Sequence, residues 1–397
     1  MTAGHSRTVA PAPLLAIVTV LLVAANLRAA LTSVGPVVDL IGSDTGLSST
    51  ALGLLGAVPL LTFAVVSPSV HLLSRRIGVD RAVGLALAVL VTGTVVRSLP
   101  GHRMTLWLGT VLVGAAIAVG NVLLPVIVKR AFPAGVAMLT SLYTSVMSGV
   151  AALASGVAVA LAGVGGWPLA LGIWAAPALL ATLLWLPRLR TPDGDGRDVV
   201  TAPRPGASMW KAPVAWYVAL FMALQSTSFY LLITWLPSIE VSHGVSPAAA
   251  GWHLFLFQIV SIGAGLAAGP VIRGSRDQRG IGATVGALMA TAMLGQLLAP
   301  AAVLLWVVLA GSSAGGAIVL ALSLMGLRTR TAEDTGRLSG MAQGVGYLIA
   351  AAGPIGAGLL HDRTGSWTWP LIAEIAVTAV QIVVAVLAGR DRFTHGP

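Results

Sequence analysis

The sequence predicts an all-helical integral membrane protein whose twelve transmembrane helices form two pseudo-symmetric bundles of six. Three observations predict this fold class. Of the 397 residues, 56% are hydrophobic and only 9% are charged, whereas a soluble domain carries roughly 25% charged residues. Apolar stretches long enough to cross a bilayer recur along the chain. Lys and Arg are concentrated in alternate connections between these stretches.

Each long apolar stretch predicts one span, because a helix rises about 1.5 Å per residue and the hydrocarbon core is about 30 Å thick. The 47 glycines are typical of helices that pack closely in lipid. Trp167, Trp235 and Trp367 lie near predicted span ends, where tryptophan commonly forms an aromatic belt. The twelve predicted spans are 14–38, 49–73, 81–98, 104–128, 136–162, 168–187, 212–236, 248–272, 281–299, 301–326, 338–360 and 367–389.

The basic residues predict the orientation of these spans. Nineteen of the 23 Lys and Arg residues lie in the connections on one side. Arg97, Arg103 and Arg363 lie on the other side, and Arg28 lies within a span. Because cytoplasmic connections are enriched in Lys and Arg, we expect a multi-pass protein of the cytoplasmic membrane with both termini in the cytoplasm. The positive charge is then a topology signal with membrane lipid as a secondary partner, and no nucleic-acid partner is expected.

One connection is much longer than the others. Residues 188–211 are rich in Pro, Gly and charge, which predicts a cytoplasmic linker. We therefore divide the chain into an N-terminal six-helix bundle at 1–187, this linker, and a C-terminal six-helix bundle at 212–397. The remaining connections are too short to contain a soluble catalytic domain, and no obligatory protein partner is evident.

The two predicted halves repeat weakly. Thr45-Gly46-Leu47-Ser48 follows the first span, and His243-Gly244-Val245-Ser246 follows the seventh. Pro36 and Pro237 are predicted to end those two spans. Parallel repeats of six spans are a transporter architecture in which the binding site lies between the halves, near the middle of the membrane.

Arg28 is the most informative residue, because it lies near the middle of the first predicted span. A guanidinium stays protonated, and placing one centrally costs at least ~2.5–3.5 kcal/mol on insertion scales. A buried anion, a ring of acceptors or a water-filled cavity would offset that cost. The functional interpretation is a cavity-lining cation that donates a forked pair of hydrogen bonds to a carboxylate or another anion. The alternative is a structural arginine capped by backbone carbonyls or paired with one buried acid.

Several other polar side chains lie within predicted spans. Gln343 and Tyr347 are four residues apart and share a helix face, as do Ser226 and Tyr230. Asn121 either binds substrate or bonds across helices. The candidate substrate-binding residues are Arg28, Asn121, Tyr143, Gln225, Tyr230, Gln343 and Tyr347.

Two residues are candidates for coupling transport to protons. Glu374 is the only acid within a predicted span, and burial favours the protonated form of a carboxyl group. It carries a coupling proton, pairs with Arg28, or is a neutral acid bonded to its neighbours. His253 either shuttles protons or bonds between helices. We expect neither residue to lie beside Arg28.

Four groups of residues resemble the major facilitator superfamily, in its branch of cyanate permeases and 2-nitroimidazole transporters. They are Asn26-Leu27-Arg28 with Thr32-Ser33-Val34-Gly35-Pro36; Asn121-Val122-Leu123-Leu124-Pro125 with Lys129-Arg130-Ala131-Phe132-Pro133; Gln225-Ser226 and Tyr230 with Trp235-Leu236-Pro237; and Ser339-Gly340-Met341-Ala342-Gln343 with Gly346-Tyr347 and Gly353-Pro354. The resemblance covers nearly the whole chain and implies a carrier of small polar or anionic molecules.

The chain departs from that pattern in two places. Ala29 stands where the branch usually has proline. The segment 71–78 keeps the basic end of the superfamily's gating loop but lacks its leading glycine and central Asp-Arg. The resemblance therefore does not carry over that loop's usual salt bridge.

The sequence contains no catalytic constellation. There are no cysteines, the seven histidines have no metal-type spacing, and there is no phosphate-binding motif. We therefore expect no cofactor, no metal and no enzymatic activity. The leading hypothesis is a secondary transporter that moves a small anionic or polar molecule by alternating access. The alternatives are a membrane-embedded transferase, which needs clustered acids, and a membrane sensor, which needs an output domain.

Overall fold

The computed structural model describes residues 13–101, 103–133, 135–190 and 209–394. Regular structure in these ranges is entirely helical, and eleven of its helical segments are long and apolar enough to cross a membrane. The longest, Met138–Leu189, has 52 residues and makes two crossings, because its backbone turns at Gly165 and Gly166. A φ of +69° at Gly166 explains why glycine occupies this turn. The predicted twelve-span all-helical membrane fold is thereby confirmed.

The helices follow the predicted spans closely. Residues 13–190 contain α1 (Pro13–Thr32), α2 (Val38–Thr45), α3 (Ser49–Val66), α4 (Val70–Ile77), α5 (Val79–Arg97), α6 (Arg103–Ala131), α7 (Val136–Gly172) and α8 (Ala175–Trp185). Residues 209–394 contain α9 (Pro213–Ser242), α10 (Pro247–Gly274), α11 (Arg279–Leu298), α12 (Val303–Leu327), α13 (Ala332–Ala350), α14 (Ala352–Thr364) and α15 (Thr368–Ala388). We call these two groups of helices the first half and the second half.

Successive crossings run between two ends of the molecule. The end that carries residues 186–190 and 209–211 is called the linker end, and the opposite end, which carries the connections at 46–48 and 243–246, is called the far end. Most of the predicted linker, residues 191–208, lies outside the described residues. The proposed division of the chain at 188–211 stays a prediction.

The weak sequence repeat corresponds to the same local structure in both halves. Gly46 has a φ of +65° and Gly244 a φ of +89°, so each turns the chain where an L side chain is disfavoured. Two residues later, Ser48 Oγ accepts from Ala51 N and Ser246 Oγ from Ala249 N, both at 3.3 Å. A left-handed glycine followed by a serine N-cap thus starts both α3 and α10.

The prediction that Pro237 ends its span is wrong. Helix α9 continues through Pro237 to Ser242. A proline cannot donate to the carbonyl four residues earlier, which here is that of Ile233. That carbonyl faces Gly35, where an added Cβ would lie only 2.1 Å from the oxygen. The helix therefore tolerates its proline where the backbone of the first half approaches closely.

Apolar packing joins the two halves at the far end. One buried cluster there includes Ile41 and Trp167 from the first half and Trp235 and Trp367 from the second. These three tryptophans are buried in protein, so they do not belong to the predicted lipid-facing belt. Towards the linker end, the buried cluster of the first half takes in only Ala350 and Ala351 from the second half, and the buried cluster of the second half contains no residue of the first. The molecule is therefore closed at the far end.

Glycines let the two halves touch by their backbones. A Cβ added to Gly53 on α3 would lie 2.2 Å from the Pro354 carbonyl oxygen, and one added to Gly358 on α14 would lie 2.1 Å from the Ser49 oxygen. No larger residue fits at either position without moving a helix. Helices α3 and α14 are consequently in direct backbone contact along the far end.

The linker end of the first half contains an ion-pair cluster. Asp80 begins α5 and pairs with Arg130, and Arg188 Nη1 lies 3.9 Å from its carboxylate. Trp185 Nε1 donates to the Asp80 carbonyl oxygen at 2.8 Å. Segment 71–78 contains no acid, and Asp80, two residues after it, pairs with the basic residues instead. Its carboxylate lies at the N-terminus of α5, where a negative charge is favourable.

The linker end of the second half is held by Arg328. Its Nε donates to the Ala388 oxygen at 2.9 Å and its Nη2 to the Gly389 oxygen at 2.8 Å. The same nitrogen donates to the Gln278 side chain. Burial lowers the pKa of this guanidinium, and the three acceptors satisfy its charge where α12, α15 and the segment before α11 meet.

Replacing Arg328 by methionine should destabilise the protein. The change removes the guanidinium from the Ala388 carbonyl and the Gln278 side-chain oxygen, while the Gly389 oxygen keeps its bond from Gln278 N at 3.1 Å. Loss of a hydrogen bond from a charged group costs about 1.5–3 kcal/mol. We expect the Tm of the purified protein in detergent to fall by several degrees. Arg330→Met is the matched control, because Arg330 is exposed and stacks on the Phe393 ring. Equal Tm values for the two variants would contradict this role of Arg328.

Candidate functional site

A cavity of about 340 Å³ lies between the two halves. This size suits a small organic ligand. The first half contributes Arg28 from α1 and a row of hydroxyl groups from α7. The second half contributes side chains from α9, α10, α12 and α13. The sequence-predicted residues that line the cavity are Arg28, Gln225, Tyr230 and Tyr347.

Arg28 is the cation of this cavity. It is half-buried on α1, and its guanidinium forms no ion pair or side-chain hydrogen bond with any residue that the structure describes. Neither structural alternative considered from the sequence, a carbonyl cap or a paired acid, is therefore present among the described residues. The charge faces the cavity without a counter-ion among the described residues.

Aromatic rings form the wall beside Arg28. Tyr230 and Tyr347 meet edge to face, with centroids 6.4 Å apart. Phe229 packs on Tyr230 at 5.2 Å, and Phe63 packs on Tyr347 at 6.1 Å. Such edge-to-face contacts hold rings in fixed positions. The wall therefore presents a firm surface against which a flat ligand can pack while its polar group faces Arg28.

Gln225 contributes an amide to the same cavity. Its Nε2 donates to Ser226 Oγ at 2.7 Å and to the Met222 oxygen at 3.2 Å. Both side chains are buried. The polar wall of α9 is thus fixed by bonds within its own helix.

Three predicted residues do not line this cavity. Asn121 is exposed on α6, and Gln343 Nε2 donates to Ser339 Oγ at 2.7 Å on α13. Tyr143 is buried in the apolar cluster of the first half. Helix periodicity explains the position of Tyr143, because the cavity is lined by the other face of α7.

That other face of α7 was missed by the sequence reasoning. It carries four small hydroxyl side chains at the spacing of one helix face. A single polar stripe on an otherwise apolar helix predicts which face of that helix lines a polar cavity. Here the hydroxyl stripe predicts the lining face of α7, whereas Tyr143 does not lie on it. The four residues are Ser141, Thr144, Ser145 and Ser148.

The coupling candidates lie away from the cavity. Glu374 on α15 is buried beside Ser228 of α9. His253 Nδ1 lies 2.7 Å from Glu240 Oε2, and Glu240 is fully buried. Because α9 runs to Ser242, Glu240 also lies within a spanning helix, so the prediction that Glu374 is the only such acid is wrong.

Arg97, which the sequence analysis counts on the outer side, ends α5 at the far end, and the structure shows that its side chain is buried. It is only 1% exposed at the end of α5. Its Nη1 donates to the Ala30 oxygen at 2.7 Å and its Nη2 to the Leu171 oxygen at 3.5 Å. Its position at a predicted span end gave no signal that the side chain turns inwards.

An acid from the second half caps a helix of the first half at the far end. Asp362 Oδ1 accepts from Ser49 N at 2.8 Å, and Oδ2 accepts from Thr50 N at 2.7 Å and from Thr50 Oγ1 at 2.6 Å. A carboxylate at a helix N-terminus is favoured by both the free N–H groups and the helix dipole. The far end is therefore held by charge as well as by backbone packing.

These features define a membrane transport protein: two helical halves, a polar cavity between them, and closure at one end. A family model described as Major Facilitator Superfamily matches residues 20–354. The chain is 39% identical over 374 residues to the 2-nitroimidazole transporter of Escherichia coli (strain K12), covering 94% of this chain and 95% of that protein. It is 25% identical over 348 residues to the cyanate transport protein CynX of the same organism, covering 87% and 90%.

The fold is also similar to a solved structure. A bacterial homolog to the human lysosomal transporter Spinster, in an inward-facing and occupied conformation, matches with a TM-score of 0.82 and 17% identity over 95% of this chain and 97% of that chain. This chain belongs to the Major Facilitator Superfamily, in the branch of the 2-nitroimidazole and cyanate transporters. It is a membrane-embedded secondary transporter of small molecules, and its family membership rules out the transferase alternative.

Replacing Asp362 by asparagine should loosen the far end. The charge-assisted bonds to α3 weaken, and a loss of about 1.5 kcal/mol shifts the balance between closed and open forms about tenfold. Because the chain has no cysteine, spin labels at Leu99→Cys and Thr364→Cys report the distance between the halves by double electron–electron resonance. We expect a larger population at long distance.

Asp277→Asn is the matched control for this measurement. Asp277 is an exposed acid whose carboxylate accepts from Arg279 Nε at 2.7 Å within the second half. The side-chain hydrogen bond from Arg279 lowers the pKa of Asp277, so the control also removes a charge-assisted bond. Identical distance distributions in the parent and in Asp362→Asn would contradict the assignment of Asp362 to closure.

Proposed function

We propose that the chain transports a small, flat molecule that carries a negative charge or an oxygen-rich polar group. The unpaired guanidinium of Arg28 in the cavity between the halves is the observation that carries this proposal. An uncompensated cation in a low-dielectric cavity favours an anionic partner, and a guanidinium matches carboxylate-like oxygens with two parallel hydrogen bonds.

The remaining cavity walls support the same substrate class. Tyr230 and Tyr347 provide ring edges for a planar molecule, and Gln225 supplies an amide. The 2-nitroimidazole transporter and the cyanate transport protein are both named for small molecules with few atoms. We therefore assign substrate binding to Arg28, Gln225, Tyr230 and Tyr347, and we place Asn121, Tyr143 and Gln343 in the path or in supporting positions.

The basic residues support an orientation for the carrier. Of the 20 Lys and Arg residues that the structure describes, 16 lie on the side of the linker end, and cytoplasmic segments are enriched in these residues. We therefore place the linker end and both termini in the cytoplasm. In this orientation closure at the far end corresponds to an inward-facing state, and transport proceeds by rocking of the two halves.

Replacing Arg28 by glutamine should abolish saturable transport. Loss of a hydrogen bond to a charged group costs about 1.5–3 kcal/mol, which is at least tenfold in affinity. The measurement is uptake of radiolabelled 2-nitroimidazole, cyanate and benzoate into proteoliposomes. Arg28→Lys should retain part of the activity for the anions, because the charge remains and the forked geometry is lost.

Arg75→Gln is the matched control for Arg28, since Arg75 is exposed at the linker end. It should leave the concentration dependence of uptake unchanged. Saturable uptake at the parent level in Arg28→Gln, for every compound the parent transports, would overturn the proposed site.

Energy coupling is proposed to use a proton carried by the substrate. Neither Glu374 nor His253 lines the Arg28 cavity, so an anion binds Arg28 without displacing a carboxylate from it. Glu374→Gln should therefore keep pH-dependent net uptake. Net uptake and counterflow are both measured at pH values of about 6 and 8, which lie on either side of the usual pKa of histidine, so that His253 is tested in the same assay. Loss of pH-dependent uptake with counterflow intact would identify Glu374 as the coupling site.

A further inference from the structure

A second, smaller cavity of about 40 Å³ adjoins the substrate cavity. The two share Arg28, Phe229 and Tyr230 in their walls. The smaller one continues past Arg28 to Arg97. A site holds one water molecule for about each 10–15 Å³ of such volume, so it has room for a few waters or for one compact anion.

Arg97 is the buried cation of this smaller cavity. It is 99% shielded from solvent, and its two matched N–H groups donate only to the Ala30 and Leu171 carbonyl oxygens. Its Nε is buried and has no hydrogen-bond partner among the described residues. A buried guanidinium with an unmatched donor and no carboxylate is an incomplete arrangement, because buried charges are normally paired.

The walls of the smaller cavity hold no acid. Its lining within the described ranges contains two arginines and no aspartate or glutamate. The nearby hydroxyl groups donate to backbone oxygens, Thr32 to Ala151 at 2.6 Å and Thr110 to Leu106 at 2.7 Å. The guanidinium groups of Arg28 and Arg97 are thus the charged donors in this lining, beside the hydroxyl group of Tyr230.

We propose that the space between Arg28 and Arg97 is a binding subsite for a compact anion of one to three heavy atoms. Water would fill the space but would leave two positive charges uncompensated in a low-dielectric interior. An anion between them offers an acceptor to both guanidinium groups and halves the net positive charge of the space. Helix α1 carries Arg28. Two residues later, the carbonyl oxygen of Ala30 accepts a hydrogen bond from Arg97 of α5, so α1 also positions the second guanidinium group.

The anion comes from one of two sources: a free inorganic ion such as a halide, or the anionic group of the transported molecule. The subsite deepens the proposed function only in the second case. Its existence does not depend on transport, because it is defined by binding to the purified protein.

Bromide is the probe for the subsite. The Tm of the full-length protein in detergent is measured in sodium bromide and in sodium gluconate at equal ionic strength, over a series of concentrations. We expect a saturable rise in Tm with bromide, since binding to the folded state stabilises it. Arg97→Gln should weaken the apparent bromide affinity at least tenfold. Arg103→Gln, which removes an exposed arginine at the start of α6, should leave it unchanged.

A second measurement covers the case in which Arg97→Gln fails to fold. Crystals of the parent protein grown in bromide are measured at the bromine absorption edge. An anomalous peak between Arg28 and Arg97 supports the subsite. Equal Tm values in the two salts, together with no peak in the smaller cavity, overturn it.

Benzoate separates the two sources of the anion. If the carboxylate of benzoate enters the subsite, saturating benzoate raises the apparent bromide dissociation constant and removes the anomalous peak. If a free inorganic ion is the natural occupant, bromide affinity and the peak are unchanged in benzoate. If the parent protein transports none of the compounds tested but still binds bromide in the smaller cavity, the proposed function is refuted and the subsite is supported.

Discussion

The uncompensated charge of Arg28 is the constraint on which the organisation of the cavity depends. The acids on nearby helices are already engaged: the buried Glu374 lies beside Ser228, the buried Glu240 contacts His253, and the exposed Asp362 caps α3. None of these acids lines the cavity. A guanidinium left in this state raises the free energy of the empty carrier. The substrate that we propose removes this penalty when it binds, so its charge contributes to affinity before any specific contact is counted.

The rest of the fold keeps the two halves positioned around that charge. Glycines at the contacts of α3 with α14 allow backbone contact, and Asp362 adds a hydrogen-bonded cap between the halves. The linker end is organised differently, because Arg328 and Asp80 make their contacts within their own halves. Each half therefore has its own contacts at the linker end, whereas the close backbone contacts and the carboxylate cap between the halves lie at the far end.

Much of this organisation can be predicted from the sequence, because the length of apolar stretches indicates the spans and the distribution of Lys and Arg indicates their orientation. The repeat of Gly46 and Gly244 also has a local cause, the left-handed turn. Pro237 was misread since its tolerance depends on Gly35, more than 200 residues away in the other half. The burial of Arg97 could not be predicted from the sequence, because a charge at a span end points inwards or outwards according to its tertiary neighbours. Tyr143 lies on a different face of α7 from the hydroxyl residues that line the cavity, and the spacing of those hydroxyl residues marks the lining face.

The hydroxyl stripe of α7 can face either water or the packed side chains of the second half. Thr144 Oγ1 donates to the Thr140 oxygen, and Ser145 Oγ donates to the Ser141 oxygen at 2.9 Å, so both protons are engaged within the helix itself. Such a surface accepts hydrogen bonds from water without requiring them. When the opposite half slides against it, no donor on these two side chains is stranded. The hydroxyl stripe is therefore polar enough to contact a hydrated solute. It can also be covered by the second half without leaving a hydroxyl donor of Thr144 or Ser145 without an acceptor.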